Sequence, residues 1–100
     1  MSVIPAVASA PNVTSVISFG NSISVSWIPP VLPNGQLLGY NLTITANTSE
    51  NGQMQNVLLP ASSLSFTFSG LDPVTNYTIQ IQAVNGFGGG EVALVAAQTG

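Results

Sequence analysis

The sequence predicts an all-β fold, a seven-stranded antiparallel sandwich of two sheets. Four segments alternate apolar and polar residues with a period of two, which places one side of each strand in a core and the other in water. Turn residues separate these segments, and no window shows the apolar spacing of an amphipathic helix. The four clear strands are residues 22–27, 40–45, 64–68 and 77–83, and weaker candidates at 13–19, 53–59 and 91–99 bring the number to seven.

The turns are marked by proline, glycine and asparagine. Pro29-Pro30 should end the second strand, because proline has no N–H to give to a ladder. Pro33-Asn34-Gly35 predicts a turn, and Asn51-Gly52 predicts a hairpin because both residues tolerate positive φ. Residues 86–90 hold four glycines around Phe87, and we expect them to form a hairpin loop.

The length of 100 residues fits one domain with one core, and 45% hydrophobic residues are enough to fill it. Residues 1–10 are rich in Ala, Val, Ser and Pro. We expect this segment to be a linker or an added N-terminus, with the domain itself spanning residues 11–100. No apolar stretch approaches the roughly 20 residues of a membrane span, so direct membrane insertion is not expected.

The charge inventory is nearly empty. The sequence has no Lys, Arg, His or Cys, and its only acids are Glu50, Asp72 and Glu91. Charged residues make up 3% of the chain, whereas about 25% is usual. Nucleic-acid binding is excluded because no basic side chain is available to contact phosphates. Catalysis or metal binding by histidine or cysteine is excluded because the sequence contains neither residue. The three acids are widely separated in sequence, and a serine nucleophile would have no base. We therefore predict no catalytic, cofactor-binding or metal-binding residues, no cofactor and no enzyme activity.

Alternation along the strands gives the predicted core, and several motifs point to a family. The inward positions are Ile23, Val25, Trp27, Tyr40, Leu42, Ile44, Phe66, Phe68, Leu71, Tyr77, Ile79, Ile81 and Ala83. Over about residues 11–99 the chain resembles a fibronectin type III domain, which is an immunoglobulin-like sandwich of seven strands. The matching residues are Pro11, Trp27 followed by Pro29-Pro30, Gly39 to Leu42, Gly70 to Pro73, Thr75 to Ile79, Ala83 to Asn85, and Thr99.

The resemblance implies that the Tyr77 hydroxyl caps the backbone at the corner formed by residues 71–73, an arrangement called a tyrosine corner. The sequence departs from the family pattern at two places, one at this corner and one in the loop that some members use for integrin binding. Val74 stands where the family often has glycine, which predicts a less relaxed corner. Residues 85–88 read Asn-Gly-Phe-Gly, so the integrin binding that some members achieve through Arg-Gly-Asp in this loop is not carried over.

Four Asn-x-Ser/Thr triplets occur, which matter only if the chain enters a secretory compartment. They begin at Asn12, Asn41, Asn47 and Asn76. Asn41 alternates away from the core and Asn47 approaches the hairpin turn, so these two and Asn12 are the candidate glycosylation sites. Asn76 lies beside the tight corner and is a poorer acceptor.

The strands at 40–45 and 77–84 should be neighbours, and their outward side chains should form a flat, neutral face. We predict contacts through Thr43, Thr45, Gln80 and Gln82 on this face. Charge normally opposes association, and here charge is missing. The alternative is a plain solvated face. Phe87 is a further candidate contact residue, unless it folds back over the end of the sandwich.

These features predict a non-catalytic extracellular adhesion, recognition or spacer module, one unit of a larger multidomain cell-surface protein. Its partners would be proteins or neighbouring domains, with weak self-association as a further option. The alternative is an engineered or consensus-derived fibronectin type III scaffold from which charge has been removed.

Overall fold

A computed structural model describes residues 7–47 and 54–100, and all of its regular elements are strands. The fold class predicted from the sequence is confirmed, including the three weaker strands. The predicted Asn51-Gly52 turn lies outside the described residues. The seven strands are β1 (Asn12–Ser18), β2 (Ile23–Ile28), β3 (Leu37–Ala46), β4 (Met54–Pro60), β5 (Ser65–Phe68), β6 (Asn76–Asn85) and β7 (Gly88–Gln98).

The strands form two antiparallel sheets. Sheet A has the order β1-β2-β5, and sheet B has the order β4-β3-β6-β7. The predicted pairing of β3 with β6 is confirmed, with Leu42 opposite Ile81 near its centre. Each sheet turns its apolar side chains toward the other, as the alternation requires.

The core lies between the two sheets. Every predicted inward side chain is buried except Phe66, which is half-buried and packs edge-on against Phe68 with ring centroids 4.9 Å apart. At the centre, the rings of Trp27 and Tyr40 meet edge to face at 5.4 Å. Eight further buried residues lie outside that predicted set, namely Ala8, Pro11, Pro30, Gly39, Ala46, Asn85, Gly90 and Thr99.

The segment before β1 is packed onto the sandwich. Ala8 is fully buried, its carbonyl accepts a hydrogen bond from Glu91 N–H at 2.9 Å, and Ser9 N–H donates to the Leu32 carbonyl at 2.8 Å. A Cβ on Gly90 would collide with the Ala8 backbone, so glycine is what lets this segment cross β7. Residues 7–10, expected as linker, thus contact the domain; residues 1–6 lie outside the described part.

The glycine-rich stretch 86–90 is a hairpin, as predicted, but its loop is shorter than expected. Only Gly86 and Phe87 form the turn, and β7 begins at Gly88. Gly88 adopts φ +118°, and a register irregularity follows between Gln82 and Val84 on the partner strand. The glycines therefore serve the irregular start of a strand, which periodicity alone does not distinguish from a loop.

The tyrosine corner is present. The Tyr77 hydroxyl accepts a hydrogen bond from Asp72 N–H at 2.8 Å. Thr99 locks the same corner, because its hydroxyl donates to the Asp72 carbonyl at 2.6 Å and accepts from Thr75 N–H at 3.0 Å. The corner thus joins the start of β6 to the end of the chain, and Thr99 is buried for this reason.

Val74 occupies the left-handed backbone region at the same corner, with φ +50°. A β-branched residue is strained there because its Cβ crowds the backbone. Its side chain is 72% exposed and so gains little from packing. The expectation of a less relaxed corner is therefore confirmed.

Tyr40 contrasts with Tyr77, although both are buried. Neither the Tyr40 hydroxyl nor the Trp27 indole N–H makes a hydrogen bond of ordinary geometry with the described residues. Burial raises the pKa of the Tyr40 phenol above 10.0, and the nearby indole N–H of Trp27 offsets part of that rise. Because the folded-state pKa is raised, Tyr40 lowers stability as the pH climbs above the unfolded value of about 10.

Removing the two tyrosine hydroxyls should have different effects. Tyr77→Phe leaves Asp72 N–H without its acceptor and should cost about 1–3 kcal/mol. Tyr40→Phe removes a hydroxyl that has no hydrogen-bond partner among residues 7–47 and 54–100, and it should leave the free energy of unfolding unchanged or raise it. Urea unfolding at neutral pH measures both. Equal losses for the two variants would contradict the assigned role of the corner.

Replacing Val74 by glycine should stabilise the domain. The relief of left-handed strain, about 1–2 kcal/mol, exceeds the entropic cost of glycine, about 0.5–1 kcal/mol. Val92→Gly is the control, because Val92 is an exposed strand residue with no left-handed strain, and that variant should be destabilised. A lower urea midpoint for Val74→Gly than for the parent would contradict the conclusion that Val74 is strained.

Candidate interaction surface

The outward face of sheet B is uncharged across all four strands. Its side chains project away from the core because each pairs, in register, with an outward residue of the next strand. From β4 to β7 they are Met54, Asn56 and Leu58; Asn41, Thr43 and Thr45; Thr78, Gln80, Gln82 and Val84; and Val92, Leu94 and Ala96.

A ladder of side-chain amides runs across this face from strand to strand. Asn56 Nδ2 donates to Asn41 Oδ1 at 2.6 Å, and Asn41 Nδ2 donates to Gln82 Oε1 at 3.4 Å. Gln82 Nε2 then donates to the Gly90 carbonyl at 2.8 Å. The amide of Asn56 also reaches Thr43 Oγ1 at 2.9 Å. All four strands are thereby linked outside the backbone ladder, and these bonds orient the amides of Asn56, Asn41 and Gln82.

The structure brings four of the predicted contact residues together. Thr43 is directly opposite Gln80, and Thr45 and Gln82 lie on the same face. Phe87 is not on this face; it is at the tip of the β6–β7 turn, where its ring is 60% exposed. That these residues contact a partner stays a prediction.

Sequence reasoning missed the apolar flanks of the face. Leu58 on β4 and Leu94 on β7 are 73% and 68% exposed, one on each side of the amides. A depression of about 160 Å³ near Leu58 is lined by Leu38, Gly39, Tyr40, Leu58, Leu59 and Val84. Both leucines were visible as outward positions in the weaker strands, but their place relative to the amides depends on the strand order.

The glycosylation candidates differ in their surroundings. Asn12 is exposed at the first residue of β1, whereas Asn41 is half-buried and engaged in the amide ladder. Asn47 N–H donates to the Asn76 carbonyl at 2.8 Å, and Thr78 Oγ1 donates to Asn47 Oδ1 at 3.1 Å. Asn47 and Asn76 therefore lie side by side, on a cleft whose lining includes both. Use of any of these sites stays a prediction.

Nothing within residues 7–47 and 54–100 resembles a catalytic or metal centre. No group of three or more His, Cys, Asp or Glu side chains in that part of the chain could hold a metal ion. Asp72 acts through its backbone at the tyrosine corner, and Glu91 lies in β7, where its N–H donates to the Ala8 carbonyl. Across the same residues, no helix is long and apolar enough to cross a membrane.

Two antiparallel sheets, a central tryptophan and a tyrosine corner define an immunoglobulin-like β-sandwich module. The sequence profile of the fibronectin type III domain matches residues 9–98. The chain therefore belongs to the fibronectin type III domain family, whose fold is generally non-catalytic.

Similar chains occur as small parts of large proteins. Chicken proto-oncogene tyrosine-protein kinase ROS is 41% identical over 73 residues, which is 73% of this chain and 3% of that protein. The Drosophila melanogaster tyrosine-protein phosphatase Lar is 34% identical over 96 residues, 92% of this chain and 5% of Lar. The crystal structure of the FN5 domain of Drosophila Lar superimposes with a TM-score of 0.74 at 25% identity, covering 93% of this chain and 97% of that domain. The similarity is to single domains of larger proteins.

Salt should change the stability of this domain very little. Without Lys, Arg or His, no side-chain salt bridge can form, and salt can only screen the weak repulsion among three acids. We expect the unfolding temperature to move by no more than about 2 °C between roughly 10 mM and 150 mM NaCl, followed by circular dichroism. A shift of many degrees would point instead to specific ion binding.

Proposed function

We propose that this domain is a non-catalytic adhesion, recognition or spacer module of a larger cell-surface or secreted protein, and that it contacts protein partners through the outward face of sheet B. The observation that carries the proposal is the amide ladder, because it holds hydrogen-bonding groups in fixed positions on a flat, uncharged surface. Membership of the fibronectin type III family supports the module role.

The chemistry of the face suits protein recognition. Thr43 and Gln80 offer a hydroxyl and an amide side by side, and such groups hydrogen-bond a partner with less desolvation cost than charges. The flanking Leu58 and Leu94 add apolar area to a contact. Extracellular placement is supported by the large relatives of which such domains form a small part, and by the four glycosylation triplets.

The engineered-scaffold alternative is favoured by the missing charge and by similarity to a computationally redesigned β-sandwich protein, at 29% identity and a TM-score of 0.76. Two features favour a natural sequence. Idealised designs avoid β-branched residues at positive φ, where Val74 lies. They also give every buried polar group a partner, whereas the Tyr40 hydroxyl has none within the described part of the chain.

The contact face is tested with the double variant Thr43→Lys/Gln80→Lys. The control is Thr14→Lys/Thr67→Lys, which places the same charge on exposed positions of sheet A. Immobilised parent and variants are screened against purified cell-surface ectodomains. We expect a binder of the parent to lose affinity by at least about tenfold for the sheet B variant, and to bind the control as it binds the parent.

Equal affinity of both double variants for the binder would refute the assignment of this face as the contact surface. If no ectodomain binds the parent, the recognition and adhesion roles fail, and the spacer role is what stands.

A further inference from the structure

The four edge strands of the sandwich are not equally protected. An edge strand presents unpaired backbone N–H and C=O groups, and proteins protect such edges with short strands, bulges, charges or covering segments. β5 has only four residues, and β1 has a register irregularity between Val13 and Ser15. β7 carries Glu91, has an irregular start and is crossed by the segment at Ala8.

β4 has almost none of these devices. It spans seven residues, carries no charge, and pairs with β3 in an unbroken register from Thr45–Met54 to Gly39–Pro60. On its other side β4 pairs with no strand of the described residues, so it is an edge of sheet B. Pro60, which has no N–H to give, limits pairing only at the last residue.

Two exposed side chains of β4 are apolar and could contact an apolar partner at this edge. Met54 and Leu58 project outward and are 67% and 73% exposed. Leu59 and Val57 face the core. A neutral and partly apolar strand offers no repulsion to an identical strand, so its best-matched occupant is the same strand of a second copy.

We propose that β4 pairs with β4 of a second copy, antiparallel and about a two-fold axis, so that two B sheets form one continuous eight-stranded sheet. This goes beyond the proposed function, because it uses the backbone edge and not the outward amides. A closed two-fold contact of this kind is self-limiting and yields a dimer.

The register that uses the whole strand places the axis at Val57. Met54 then lies opposite Pro60 of the second copy, and Leu58 lies opposite its Asn56. The two copies of Leu58 become diagonal neighbours on the outward face, about 7–8 Å apart, where they cover each other. This pairing gives the exposed leucine an apolar partner.

The test compares Leu58→Lys with Leu94→Lys by sedimentation equilibrium from about 10 µM to about 1 mM. Both leucines are outward residues of sheet B with similar exposure, and both variants change the net charge equally. We expect the parent to dimerise. Leu58→Lys should raise the dimer dissociation constant at least about tenfold, because two lysines meet across the axis, whereas Leu94→Lys should change it less than about twofold.

Charge reversal gives an independent check. The Leu58→Glu variant alone should also form a weaker dimer than the parent. An equimolar mixture of the Leu58→Lys and Leu58→Glu variants should form heterodimers, because opposite charges then meet at the axis. Hydrogen exchange should show β4 amides becoming protected as the parent concentration rises. A parent that stays monomeric at 1 mM, equal effects at positions 58 and 94, or a mixture that remains monomeric would each overturn the proposal.

Discussion

The structure is built under one electrostatic constraint, which is that no two side chains can form a salt bridge because the sequence has no Lys, Arg or His. Polar contacts of the side chains therefore rest mainly on neutral amides and hydroxyls, which bond to one another or to the backbone. Such neutral hydrogen bonds gain only about 0.5–1.5 kcal/mol each, but they need far less desolvation than ion pairs. The tyrosine corner, the amide ladder and the buried amide of Asn85, which donates to the Pro33 carbonyl and accepts from Phe87 N–H, are places where these bonds are concentrated.

The corner shows how neutral groups can fix a chain crossing. Tyr77 and Thr99 satisfy the N–H and the carbonyl of Asp72, so the carboxylate of that residue is not needed for the contact. This leaves the strand that follows in a set position relative to the core. The strain at Val74 is tolerated because both sides of the turn are held by these bonds.

The same constraint shapes the surface. Where a charged sheet would repel a neighbour, sheet B presents amides tied to one another and a neutral edge at β4. The proposed association of the face with a partner and the proposed pairing of the edge with a second copy would use different atoms. Both proposed contacts depend on the absence of charge, but only the edge contact requires a second copy of the same strand.

The fold was within reach of the sequence, because alternation with a period of two reports directly which side of a strand is buried. That rule placed Trp27, Leu42 and Ile79 in the core, and the family resemblance supplied the corner at Tyr77. The sequence also determined the exclusions, since chemistry that needs a cation or a thiol requires residues this chain lacks.

Tertiary structure decided what depends on strand order and on contacts between distant segments. The sequence shows that Asn56, Asn41 and Gln82 are polar, but only the order β4-β3-β6-β7 aligns them into one ladder. Burial of Ala8 depends on a crossing at Gly90, more than 80 residues along the chain, and no local pattern encodes that meeting. Alternation fixes the face of each residue, whereas neighbours across strands are fixed only when the sheets assemble.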